Sequence, residues 1–348
     1  MAPILAHRCP FRCSLRLVCY AFIHHRSRRL VYVLTAQWHA ENQKGYCAMT
    51  LIHRTVRVRD TDIRLTESNG SGLPVVMIHG SGSNRQIFDK QLHSSLADRF
   101  RLVAMDLPGH GESGDAANPA ADYTLPGLAA GVADVLAALD IRRAAFFGWS
   151  LGGHIAIEIA STNPVVAGMM ISGAPPIGHG PIGTLLAFRI TFDSMLASKE
   201  NFTDADVLRF ARLCFGENVN DDHLRAIRRA DGRMRKIMFG SMMSGRCADE
   251  KKFVQTSPVP VAMVNGADDP FFRHRYVAGL RYARLWDGYC HVIPDAGHAA
   301  FSEKPEIFNA MLQRFCDELV SGRLDAAPVS TANRPAAMPA TELLRESA

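Results

Sequence analysis

The fold is encoded most clearly in residues 144–155, Ala144-Ala145-Phe146-Phe147-Gly148-Trp149-Ser150-Leu151-Gly152-Gly153-His154-Ile155. Ala144–Phe147 is a short apolar run of the buried-strand kind, and Leu151–Ala160 reads as a helix. Between them Gly148-Trp149-Ser150-Leu151-Gly152 fits G-x-S-x-G, with the serine at the junction. A tight strand-to-helix turn of this kind holds the hydroxyl out at the top of a sheet. It needs small residues on either side because neighbouring backbone comes very close. The pentapeptide alone would also suit a plain glycine turn. Its place between a strand and a helix makes Ser150 the candidate nucleophile.

Strand-like and helix-like segments alternate outward from this turn. Leu51–Val58 and Asp62–Thr66 pattern as a β-hairpin turning at Arg59-Asp60-Thr61. Leu73–Ile78 is a buried strand that ends at His79-Gly80-Ser81-Gly82, and Arg101–Met105 is the next, broken by Asp106-Leu107-Pro108-Gly109. Leu125–Leu139 carries apolar residues at helical spacing. Val165–Ile171, Val259–Val264 and His291–Ile293 are further strands, and the amphipathic stretch Ile307–Val320 closes the series. Such alternation predicts an α/β fold, a mostly parallel central sheet flanked by helices. One interval breaks it. Residues 174–257 hold no clear strand but contain helix-like stretches such as Ala205–Leu213 and Asp222–Arg229. This predicts an inserted helical cap over the carboxyl ends of the strands, where crevices form in open α/β sheets.

A serine nucleophile needs a base, and the base an orienting acid, in the chain order Ser, Asp/Glu, His. The strand Val261–Val264 runs into Asn265-Gly266-Ala267-Asp268-Asp269-Pro270, and Ile293-Pro294-Asp295-Ala296-Gly297-His298 follows the last strand. His298 is the expected base, since it falls after the final strand and before the final helix. Asp269 is preferred over Asp268 as the acid because Pro270 keeps it out of α conformation. The oxyanion donors expected are the backbone N–H groups of Leu151, at the helix start, and Ser81, in the loop after Leu73–Ile78. G-x-x-x-x-G-K-[ST] is absent, so that glycine loop is not read as a nucleotide site. His110 and His154 are read as structural hydrogen-bonders, and Cys214 as simply buried. Met234, Met238, Met242 and Met243 lie at roughly helical spacing. They suit either core packing or an adaptable apolar wall of a lipid-chain pocket.

Composition limits the alternatives. The chain has 348 residues, 47% hydrophobic and 21% charged, which is globular and not disordered. No run of about 18 uncharged apolar residues exists, so no membrane-spanning helix is expected. The net charge of +5 resides in the first 48 residues, where seven basic residues face Glu41 alone. The remainder is near neutral, which argues against nucleic acid as a partner. Eight cysteines without a CxxC spacing read as reduced thiols and point to a cytoplasmic protein. Residues 1–48 read as a disordered or non-native extension, 49–320 as the catalytic domain, and the Ala- and Pro-rich 321–348 as a disordered tail.

In combination, His79-Gly80, Asp106-Leu107-Pro108-Gly109-His110-Gly111, Gly148-Trp149-Ser150-Leu151-Gly152-Gly153-His154 and Asp295-Ala296-Gly297-His298 resemble the α/β-hydrolase superfamily over residues 50–320. A narrower likeness lies in Gly148–Ile155, in the cap run Asp231-Gly232-Arg233-Met234-Arg235-Lys236-Ile237-Met238-Phe239, and in Val264-Asn265-Gly266 through Pro270-Phe271. These look like the α/β-hydrolase type of N-acyl-homoserine lactonase. That family implies quorum-signal degradation by a serine nucleophile, with no metal and no cofactor. Its acid can be glutamate, and Asp269 stands at the matching place. The loop after His79-Gly80 differs in its residues, and residues 1–48 have no counterpart. The expected partner is a small amphipathic ester or lactone. A general carboxylesterase of the same fold shares every catalytic residue, and a non-catalytic small-ligand receptor is a third reading. Haloalkane dehalogenases and epoxide hydrolases would carry aspartate at position 150.

Overall fold

The computed structural model describes residues 13–23, 30–40 and 51–326. Its strands are β1 (Cys13–Ile23), β2 (Leu30–Ala40), β3 (Leu51–Val58), β4 (Thr61–Ser68) and β5 (Pro74–Ile78). They continue with β6 (Arg101–Met105), β7 (Ala144–Trp149), β8 (Val166–Ser172), β9 (Val261–Gly266) and β10 (His291–Ile293). All belong to one sheet in the order β1-β2-β3-β4-β6-β5-β7-β8-β9-β10. From β6 through β10 every pairing is parallel. The strands before β5 are joined antiparallel. This is the mostly parallel sheet expected from the alternation, with the topology that the resemblance to α/β-hydrolases implies.

Strand boundaries follow the expected ones within one or two residues. Thr61, expected in the hairpin turn, instead pairs with Val58. The turn therefore tightens to Arg59-Asp60, both in left-handed conformation at φ 49° and 58°. Two left-handed residues match the twist of a two-residue hairpin. A larger difference lies upstream. Residues 1–48 were expected to hold no packed pattern, yet the structure draws β1 and β2 there, with Val33–Gln37 paired antiparallel to Ile52–Val56. The reason is local: Leu30-Val31-Tyr32-Val33-Leu34-Thr35 is dense in β-branched and aromatic residues that favour strands.

The sheet's centre is dry. Val75, Val76, Met77 and Ile78 of β5 and Ala144–Phe147 of β7 are all fully buried, as two-sided coverage by helices requires. Phe147 meets the rings of Phe88, Phe301 and Phe308 at centroid separations of 5.5, 5.1 and 4.7 Å. After β5 the chain crosses to β6 on one side and returns to β7 on the other. The crevice this reversal opens at the strands' carboxyl ends lies between the loop after β5 and the turn after β7.

Between β8 and β9 stand the helices Gly180–Ala187, Asp204–Phe215, Asp221–Arg229, Gly232–Met243 and Glu250–Thr256. Their starts are specified locally. Thr203 and Asp206 form a capping box, Asn220 caps with His223, and Asp231 and Asp249 accept from Arg233 and Lys252 N–H. Asp231 also fastens this cap to the body: its carboxylate accepts from Tyr123 Oη at 2.7 Å, and its N–H donates to Gly109 O at 2.8 Å. Among the described residues no helix is long and apolar enough to cross a membrane.

Four strands, β3, β4, β6 and β5, separate β2 from β7 in the sheet. A chain that starts at Met49 is therefore expected to keep its full rate of ester hydrolysis. A truncated protein that folds but has lost activity would contradict this.

Candidate active site

Ser150 occupies the turn from β7 into the helix Leu151–Thr162, at φ 53° and ψ −121°. A non-glycine residue in that region carries about 1–3 kcal/mol of backbone strain, so its surroundings must enforce the conformation. They do so by contact. A Cβ on Gly152 would lie 1.9 Å from Ile78 O, and one on Gly148 would lie 2.4 Å from Gly152 O. The helix start is thus pressed against the end of β5, which only glycine permits. Ser150 N–H donates to Ser172 O of β8 and Ser150 O accepts from Gly153 N, both at 2.8 Å.

Histidine and acid come together from two loops. Ala267 N–H donates to Ile293 O and Asp268 N–H to Ala296 O, each at 2.9 Å, tying the loop after β9 to the loop after β10. His298 Nδ1 lies 2.7 Å from Asp269 Oδ2. A carboxylate only accepts, so the proton sits on Nδ1 and Nε2 is left free to take another. Asp269 Oδ1 accepts from Phe271 N–H at 2.9 Å, and both side chains are buried. Asp268, by contrast, is exposed. Trp149, the neighbour of Ser150, donates from Nε1 to His298 O at 2.8 Å and so joins the two loops to the elbow. The Phe271 ring packs 4.2 Å from the imidazole centroid.

Two further buried histidines shape the loop that holds Ser81. His79 Nε2 accepts from Leu107 N–H at 3.0 Å while its Nδ1 donates to Gly80 O at 2.8 Å. His110 Nε2 accepts from Gly82 N–H at 3.2 Å while its Nδ1 donates to Pro108 O at 3.2 Å. Each ring thus uses both nitrogens as a neutral imidazole. Burial lowers the pKa of His79, and of His110 much further. Asp106 fixes the same region from below. It accepts from the N–H groups of Arg85 (2.6 Å) and Glu112 (2.8 Å), and pairs with the Arg85 guanidinium.

Ser81, Ser150, Leu151 and His298 all line one cleft under the cap. It encloses about 940 Å³, part of it open to solvent. Its cap side is largely apolar, with Ile190, Phe210, Met238, Phe239 and Met242, beside the hydroxyls of Thr184, Ser194 and Ser198. The methionine stripe divides: Met238 and Met242 face the cleft, whereas Met234 is fully buried in the core. Cys214 is buried as expected, but it lines the cleft, and burial pushes its thiol pKa well up. His154 lines it too, with Nδ1 2.9 Å from both oxygens of Glu250. Sequence reasoning assigned His154 only a structural bond and passed over Glu250. Nothing local marks a glutamate in the cap as the partner of a residue beside the elbow. Among the described residues no group of three or more His, Cys, Asp or Glu is arranged to hold a metal ion.

Comparison with known proteins places these residues in context. The alpha/beta hydrolase family matches residues 75–311. Among solved structures, the N-acyl homoserine lactonase AidH complexed with N-butanoyl homoserine is 38% identical. It has a TM-score of 0.75 and covers 77% of this chain and 97% of its own. The pimeloyl-[acyl-carrier protein] methyl ester esterase of Methylococcus capsulatus is 30% identical over 72% of this chain and 96% of its own. A 2-hydroxy-6-oxononadienedioate/2-hydroxy-6-oxononatrienedioate hydrolase of Cupriavidus pinatubonensis is 26% identical over 75% of this chain and 93% of its own.

The buried imidazoles set a pH dependence of stability. With the folded pKa of His79 and His110 below the ordinary 6.5, the unfolded chain binds more protons between those values. Their contribution is complete above about pH 6.5 and is lost as the pH falls below it. Melting temperature is expected to drop from pH 7.5 to pH 5.5, and His110→Gln to flatten that drop. Calorimetry across this range, showing an equal slope in both proteins, would contradict the assignment.

Proposed function

The chain belongs to the alpha/beta hydrolase family, and we propose that it is a serine hydrolase opening the lactone ring of N-acyl-homoserine lactones through an acyl-enzyme. The observation that carries this reading is the meeting in one cleft of Ser150, strained outward at the elbow, with the His298–Asp269 pair. The likeness to AidH, 38% over nearly all of that chain, supports the lactone as substrate. The apolar cap wall of Met238, Phe239 and Met242 suits an acyl chain. Cys214, Cys247, Cys290 and Cys316 are free thiols, which fits a cytoplasmic site of action on a quorum signal.

In this mechanism His298 Nε2 takes the Ser150 proton as Oγ attacks the lactone carbonyl. Asp269 holds the imidazole in the tautomer that leaves Nε2 open and stabilises the cation that forms. The oxyanion lies against the N–H groups of Ser81 and Leu151. Leu151 adds the positive end of its helix, while the neighbours of Ser81 are committed elsewhere: Gly82 N–H to His110, Ser83 N–H to Gly80 O. Collapse breaks the ring C–O bond, and the proton on His298 passes to the leaving alkoxide, which stays tethered as the homoserine hydroxyl. Water then gives a proton to His298 and attacks the acyl carbon, and the acyl-homoserine departs with Ser150 restored. A general carboxylesterase is the second reading, favoured by the 30% identity to a methyl ester esterase.

Ser150→Ala and His298→Ala are each expected to lower kcat/KM by about 10³-fold or more, with little further loss when combined. Asp269→Asn is expected to be far more damaging than Asp268→Asn. The reverse order in steady-state assays would overturn the choice of acid. On a panel of N-acyl-homoserine lactones and open-chain esters, chromatography with mass detection should show ring-opened products at rates unchanged by EDTA. Open-chain esters cleaved far faster than any lactone would move the assignment to carboxylesterase. Activity lost in EDTA and restored by zinc would remove the serine mechanism.

A further inference from the structure

A second buried histidine–carboxylate pair, His154–Glu250, stands in the same cleft, and the mechanism above gives it no task. His154, four residues after Ser150, lines the same cleft from the first turns of the helix Leu151–Thr162. Glu250 is fully buried at the start of the helix Glu250–Thr256. It accepts from His154 Nδ1 through both oxygens at 2.9 Å and from Ile177 N–H at 3.0 Å. These bonds fix the ring's orientation and place its proton on Nδ1. Nε2 is then the ring atom left to a ligand, and in the neutral ring it accepts a hydrogen bond. The Phe188 ring, 6.0 Å away from the imidazole, limits the space around it to a slender group. Elsewhere the cap side of this cleft is largely apolar, and the hydroxyls of Thr184, Ser194 and Ser198 there donate to backbone carbonyls, so a held acceptor near the nucleophile can decide which substrates fit.

We propose that His154 Nε2 accepts the N–H of an amide on the carbon next to the scissile carbonyl, so that the site selects α-acylamido esters and lactones. The proposal rests on Ser150 as the nucleophile. In such substrates the amide nitrogen is two bonds from the attacked carbon, and Ser150 and His154 line one cleft. Glu250 acts through His154 as a positioning residue. A substrate lacking the N–H leaves the buried acceptor without a partner, the situation in which hydrogen-bond selectivity is largest.

The test compares kcat/KM for an N-acyl-homoserine lactone and its N-methylated analogue, and for an N-acyl amino-acid methyl ester and its N-methylated analogue. p-Nitrophenyl butyrate, which has no amide, is the control. In the unaltered protein the N–H form of each cleaved pair is expected to be preferred by about 10- to 100-fold. His154→Leu should abolish that preference, bringing the ratio of N–H to N-methyl rates to about 1, whatever general loss the unpaired Glu250 adds for every substrate including the control. His154→Gln, which keeps a donor for Glu250 and an acceptor for the ligand, should retain most of it. A preference absent from the unaltered protein overturns the proposal without need of any variant. So does a His154→Leu protein that keeps the N–H preference of the unaltered protein, since His154 would then only brace the cap. Discrimination between the open-chain pair, with no lactone cleaved, would sink the lactonase assignment and leave this inference standing.

Discussion

The site depends on the close approach of Gly152 to the carbonyl of Ile78, which leaves no room for a Cβ. It brings the helix Leu151–Thr162 against the end of β5, and the chain can make that contact only by turning sharply at Ser150. The strained φ of 53° is the consequence. Everything else at the site is placed relative to this turn. Trp149, the residue before it, reaches the His298 loop, and the loop after β5, carrying Ser81, ends beside it. The buried, neutral His79 and His110 then hold that loop to residues 107–110. Loop and turn are thus tied together by hydrogen bonds within the protein, an arrangement that suits the oxyanion site proposed above.

Polar contacts join the cap to this frame at several points, among them Arg229 with Asp115 and Ser113 O, and Ala248 N–H with Glu158. Asp231 meets Tyr123 and Gly109, and Glu250 meets His154 on the elbow helix itself. Apolar side chains fill the space between. Burying a carboxylate as completely as Glu250 is unfavourable unless donors compensate it, and here an imidazole and a backbone N–H do so. The same pair that docks the cap therefore sets a polar group into the substrate cleft. In the proposal above, cap position and substrate choice are coupled through one side chain.

Much of this was legible in the chain because it is written locally. The parallel sheet follows from short apolar runs alternating with helical ones. Ser150 and His298 follow from what precedes and follows each: a strand and helix for one, the last strand and last helix for the other. The pair of aspartates is resolved in space, where Asp269 reaches the histidine and Asp268 faces solvent. Spacing marked a methionine stripe but not what it would meet, and its members divide between cleft and core. Glu250 was invisible because its role depends on a partner 96 residues earlier. The strand pair before Leu51 was hidden under an arginine-rich composition, while its β-branched run held the information. Pairing partners distant in sequence leave no local mark.

The account depends above all on Ser150 being the reacting group, and covalent labelling tests this most directly. The protein is treated with an alkyl fluorophosphonate, which forms an Oγ–P bond and releases fluoride, and is then analysed by intact and peptide mass spectrometry. A single adduct on Ser150, absent from the Ser150→Ala protein and slowed by saturating N-acyl-homoserine lactone, is the predicted result. A protein that cleaves esters but carries no adduct, or carries it on another residue, would contradict the nucleophile assignment and with it the mechanism.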